Sequence, residues 1–136
     1  MKRFLLAIIT LAFAVTAPRA HTQTFKVLHQ FDGVVGDGAN SHAGLIRDSS
    51  GNLFGTTFDG GIGEGTVFKI DGTTGVETVL FTFTPSVSGG FPASPLVQDQ
   101  AGNLYGIADL GPGGAGVVFK ISPEATETLL EAFQGG

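Results

Sequence analysis

The chain has 136 residues and a formal charge of −5, with 22 glycines, 12 phenylalanines, no cysteine and no tryptophan. No glycine falls in the first 20 residues, so the other 116 hold all 22, and long helices are excluded because each interior glycine costs a helix about 1 kcal/mol relative to alanine. The glycines lack the regular spacing of collagen, and the Phe, Val, Leu and Ile between them exceed what a disordered chain carries, which leaves short strands joined by turns.

In chain order, Met1-Lys2-Arg3 is a basic start and Phe4 to Ala17 is an uncharged, mostly apolar run of 14 residues, with small residues at Ala17 and Ala20. This is the pattern of a secretory signal peptide. A membrane-crossing helix needs about 20 apolar residues, so residues 1–20 are expected to direct export and be removed. The expected location is secreted or cell-surface, with no membrane insertion after removal, and no cysteine is present to carry a lipid. Loss of Lys2, Arg3 and Arg19 leaves four basic residues against 12 acidic ones, a charge of −8. That balance excludes a nucleic-acid partner, which needs a basic stripe to neutralise phosphates.

Residues 21–42 read as a leading strand, Phe25 to Phe31, followed by the acidic glycine loop Asp32-Gly-Val-Val-Gly-Asp37-Gly. Asp32 and Asp37 are the calcium candidates of this loop, although their spacing is not that of an EF-hand. From here the sequence repeats. Asp48 to Ile70 returns 51 residues later as Asp99 to Ile121, with 12 of 23 positions identical. Glu77-Thr-Val-Leu-Phe-Thr-Phe83 returns as Glu127 to Phe133 at an offset of 50, and Phe25 to Phe31 looks like a further copy of that element.

Residues 43–83 and 84–136 are therefore two repeats, each expected to hold four strands. In the first they lie near 43–47, 52–57, 65–70 and 77–83; in the second, near 93–98, 103–108, 116–121 and 127–133. The recurring residues Asp48, Gly51, Asn52, Gly55 and Phe68, with Asp99, Gly102, Asn103, Gly106 and Phe119, form the structural motif. Asp bonds the backbone of its own turn and Gly supplies the positive φ that closes it. Lys69 and Lys120 are expected on the solvent side of their strands. A four-stranded unit of this length has the size of a propeller blade.

The combined pattern Asp-x-x-Gly-Asn-Leu-Phe/Tyr-Gly, Gly-x-Val-Phe-Lys-Ile and Glu-Thr-Val/Leu-Leu-x-x-Phe resembles the GloVer-type repeat of bacterial choice-of-anchor tandem-repeat proteins. The resemblance implies an exported, all-β protein of propeller-like antiparallel blades, carried to the cell surface, and it transfers no catalytic residues. This sequence shows two full repeats and ends at Phe133-Gln-Gly-Gly with no anchor segment. Propellers close with 4–8 blades, so the expectation is an incomplete ring: a partial member, or a chain that self-associates.

Catalytic chemistry finds little support. The histidines are His21, His29 and His42, there is no cysteine nucleophile, and no Gly-x-Ser-x-Gly elbow occurs. His29 and His42 can serve as a metal pair only if the fold brings them together. Gly111-Pro-Gly-Gly-Ala-Gly116 matches a dinucleotide fingerprint in letters, but a strand follows it where that motif needs a helix. Phe54 and Tyr105 are candidates for an aromatic rim that stacks on sugar rings. The reading is a non-enzymatic, exported repeat protein with a structural or binding role, no cofactor, and a glycan or protein as ligand. A carbohydrate-active hydrolase or lyase on a propeller scaffold and a calcium-dependent adhesion module are the alternatives.

Overall fold

Two aspartates set the hairpins from which the sheets grow. The Asp48 carboxylate accepts hydrogen bonds from the Asn52 amide N–H and side-chain Nδ2, both at 2.8 Å, and Gly51 closes the turn at φ 89°. Asp99 does the same with Asn103 at 2.9 and 2.7 Å, with Gly102 at φ 87°. The Asn52 side chain holds the Asp48 carboxyl below its ordinary pKa, as Asn103 holds Asp99.

The computed structural model of the chain describes residues 23–61, 63–84 and 87–135; the expected leader 1–20 and His21 lie outside the described residues. The strands are β1 (Gly38–Ala39), β2 (Ile46–Arg47), β3 (Leu53–Thr57), β4 (Asp59–Gly60), β5 (Thr66–Ile70) and β6 (Glu77–Thr82). They continue as β7 (Gly90–Pro92), β8 (Val97–Gln98), β9 (Leu104–Leu110), β10 (Gly114–Ile121) and β11 (Glu127–Gln134). All pairings are antiparallel, no helix occurs among the described residues, and none of the sheets closes on itself.

The first repeat sheet runs β2-β3-β5-β6, and the second runs β8-β9-β10-β11 with β7 on the same edge of β9 as β8. The registers match: Leu53 faces Ile70 and Gly55 faces Phe68, as Leu104 faces Ile121 and Gly106 faces Phe119. A register shift between Val67 and Phe68 recurs between Val118 and Phe119. Gly55 and Gly106 are required because the opposite phenylalanine ring lies across them. A Cβ on Gly55 would stand 2.7 Å from Phe68 Cζ, and one on Gly106 would meet Phe119 Cζ.

Three strands, β1, β4 and β7, were not legible in the sequence. β1 and β4 form a separate two-stranded ribbon, with Gly38 opposite Gly60, and β7 pairs the far end of β9. These are the same arrangement in the two repeats, because Ala39 faces Asp59 as Gly90 faces Leu110. The chain bends at Phe58 in the first repeat, which separates β3 from β4, whereas β9 runs unbroken.

The expected leading strand is corrected. Residues 23–32 pair with no strand, because the leading copy has no third strand of its own to lie beside. One side chain still takes its place: Phe31 packs edge-on against Phe68 at 4.9 Å between ring centroids. Phe83 meets Phe119 in the same way at 5.1 Å.

The two sheets share one core. Phe54 and Val67 of the first cluster with Phe83 and with Leu96, Leu104, Ala108, Val117, Phe119 and Ile121 of the second. Alternation along β5 puts Val67 on the face toward the second sheet and Phe68 on the face toward Phe31. Each sheet thus has a front, carrying Phe68 or Phe119, and a back, carrying Val67 or Val118.

Candidate functional site

The acidic loop folds on its own carboxylates. Asp32 Oδ1 accepts from the Val34 N–H at 3.0 Å, Asp37 Oδ2 from the Asp32 N–H and Oδ1 from the Gly38 N–H, both at 2.8 Å. Gly33 and Gly36, at φ 75° and 92°, allow the tight reversal. Asp37 is thereby fixed from two sides and its side chain is 14% exposed.

Besides the contacts within its own loop, Asp37 meets His29, whose Nε2 lies 3.1 Å from Asp37 Oδ1. Glu77, the first residue of β6, completes the cluster: one ligand atom from each of His29, Asp37 and Glu77 lies within 4.8 Å of the others. The Glu77 Oε1 atom is buried without a hydrogen-bond partner. Burial pushes the Glu77 carboxyl up, against the pull of the His29 ring, while the Asp37 charge adds to the rise. Burial works on Asp37 in the same direction, but the Asp32 amide, the His29 ring and the Gly38 amide outweigh it and hold that carboxyl low.

The second repeat supplies a control. Glu127, 50 residues after Glu77, also has a buried Oε1 without a partner, and desolvation raises its pKa to about 7. At the positions matching His29 and Asp37, however, stand Phe81 and Ser88. The buried glutamate belongs to the repeat; the histidine and aspartate beside it belong to this one place.

A second feature is the back of the second sheet. Phe54, Thr56, Val67 and Phe83 of the first repeat are buried, with exposures of 7, 1, 0 and 0%. Their counterparts are Tyr105 and Val118, both half-buried, and Ile107 and Phe133, each exposed by 48%. Leu130 beside them is 49% exposed. What the second sheet covers on the first stays open on the second among the described residues.

The remaining sequence candidates fall elsewhere. His42 stacks on Phe58 at 5.2 Å, with different neighbours from His29, so the two do not form a pair. Phe54 is buried between the sheets and offers no rim for a sugar, while Tyr105 gives its hydroxyl to Asp99 Oδ2 at 2.9 Å. Lys69 is half-buried, at a cleft of about 310 Å³ lined also by Phe54, Leu80, Gln98, Leu104 and Pro123. Glu77 carries no mark of a site in the sequence, because it recurs as Glu127 and opens a strand. The signal that marks the cluster is the reverse, the failure of His29 and Asp37 to recur.

Among known proteins, the profile of the Gloeobacter/Verrucomicrobia repeat matches residues 13–136, in agreement with the resemblance carried by the recurring motif. A comparison with curated proteins gives no match.

Proposed function

Because the chain belongs to the Gloeobacter/Verrucomicrobia repeat family, we propose that it is a non-catalytic scaffold of propeller-type blades, exported by its first 20 residues to act at or beyond the cell surface. Its work is to dock blade on blade and to present the loops at their ends. The observation that carries this reading is the back of the second sheet, where Ile107, Leu130 and Phe133 stand exposed at positions whose counterparts Thr56, Leu80 and Phe83 are covered. The occupant that fits is another blade of the same kind, offering the front face of a Phe68 or Phe119.

A second copy of the chain can supply that front. Its Phe68 is covered by Phe31 from a segment without strand pairing, and β11 of a neighbour carries the full strand that this segment imitates. Head-to-tail contacts of this kind extend until the rotation closes a ring. The charge at neutral pH and the shortage of basic groups favour protein or neutral glycan partners over polyanions.

Size-exclusion chromatography with light scattering tests the proposal. The chain freed of residues 1–20 is expected to associate as concentration rises, Phe133→Glu to remain monomeric, and Phe31→Ser to associate more readily. A compact monomer for all three up to high concentration contradicts it. Turnover in a glycan hydrolase screen that a single Asp→Asn change abolishes would overturn the non-catalytic assignment.

A further inference from the structure

We propose that His29, Asp37 and Glu77 form a binding site for a divalent transition-metal ion of the zinc class. The three residues come from three separate pieces of the fold: the leading segment, the acidic loop and the start of β6. Their donors already lie within 4.8 Å of one another. A tetrahedral zinc ion, with ligand bonds of about 2.0–2.2 Å, places donors roughly 3.3–3.6 Å apart, so a small side-chain adjustment closes the site.

The donor set selects the metal. One imidazole nitrogen and two carboxylates suit zinc and its neighbours, whereas calcium takes about 6–8 oxygens. Asp37 is held by the Asp32 and Gly38 amides, the kind of outer hydrogen bonding that orients a ligand before the ion arrives. Glu77 Oε1 is buried without a hydrogen-bond partner among the described residues, so one of its lone pairs is open to a cation. Comparison inside the chain points the same way. The repeat keeps the buried glutamate at Glu127, but only the first repeat surrounds it with histidine and aspartate, in place of Phe81 and Ser88.

The bound ion ties the leading segment to the first sheet. Residues 23–32 pair with no strand among the described residues, and Phe31 packs on Phe68. An ion bridging His29 to Glu77 fixes that segment at a second point, next to the aromatic one.

The test is calorimetric titration of the untagged chain with zinc chloride, beside calcium and magnesium chlorides, together with melting followed by circular dichroism. One saturable zinc site is expected, with a rise in Tm on the order of 5–10 °C at a hundredfold excess over Kd. His29→Phe, which installs the residue found at the matching position, Phe81, and the nearly isosteric Glu77→Gln are each expected to weaken zinc about tenfold to a hundredfold. Glu127→Gln should leave it unchanged. Absence of a saturable zinc heat, zinc affinity unaltered in both His29→Phe and Glu77→Gln, or calcium bound as tightly as zinc would overturn the assignment. Binding heats are read on dilute protein, so failure here is separable from failure of blade docking.

Discussion

Phe83 and Phe133 occupy the same place in successive repeats, one covered and one open, and truncating each to alanine measures what the covering sheet contributes. Phe83 is completely buried, edge-on to Phe81 at 5.2 Å and to Phe119 at 5.1 Å. Burying a phenylalanine side chain stabilises by about 1.5–3 kcal/mol, and its removal adds a cavity term, so core Phe→Ala changes cost about 3–5 kcal/mol. Two edge-on ring contacts, worth about 0.5–1.5 kcal/mol each, place Phe83→Ala toward the upper end. Phe133 is 48% exposed, so Phe133→Ala should cost about 1 kcal/mol or less in dilute protein. With native stabilities of about 5–15 kcal/mol, the first change leaves a marginal fold and the second barely registers. Urea unfolding followed by far-ultraviolet circular dichroism is the suitable assay, because the chain has no tryptophan. Equal losses for the two variants at low concentration would refute the packing of the first sheet on the second.

Other expectations follow from single residues. Ala125 takes φ 61° in the turn before β11, where the first repeat places Gly75 at φ 76°. Ala125→Gly removes a left-handed penalty of about 1–2 kcal/mol against an entropic cost of about 0.5–1 kcal/mol, so a gain of about 0.5–1 kcal/mol in urea unfolding is expected. Glu127, raised to about 7 from an ordinary 4.5, favours the fold when protonated; that stability is full below about pH 4.5 and is lost as pH rises through 7. Because the side chain is only half-buried, screening reduces the loss to about 1 kcal/mol. Glu127→Gln should flatten stability between about pH 4.5 and 7.5, and an unchanged slope would argue that this carboxyl is solvated. The depressed carboxyls of Asp48, Asp71 and Asp99 act in the opposite sense and lower down, losing their contribution as pH falls below about 4.

The repeated part of the fold was largely legible because it is written locally. Asp48-Ser-Ser-Gly-Asn52 carries its own turn, and Gly55 opposite Phe68 marks the register, so the eight expected strands appear near their expected places. The Asp59–Gly60 and Gly38–Ala39 ribbon was not legible, since two-residue pairings leave no periodic pattern. The leading segment misled for a different reason. Its sequence imitates a fourth strand, but strand formation depends on a neighbour, and only Phe31 finds one. The candidate site is non-local altogether: His29 and Asp37 are eight positions apart, and Asp37 and Glu77 are 40 positions apart. The one trace of it in the sequence is the mismatch between copies, histidine against Phe81 and aspartate against Ser88.

Blade-on-blade docking is the central claim, and hydrogen–deuterium exchange across a concentration series tests it at the surfaces involved. Association is predicted to slow exchange in β11, over Glu127–Gln134, and in neighbouring β10, while residues 25–31 exchange faster as they leave Phe68. Protection confined to other surfaces, or exchange in β11 that stays constant while the molecular mass rises, would contradict it.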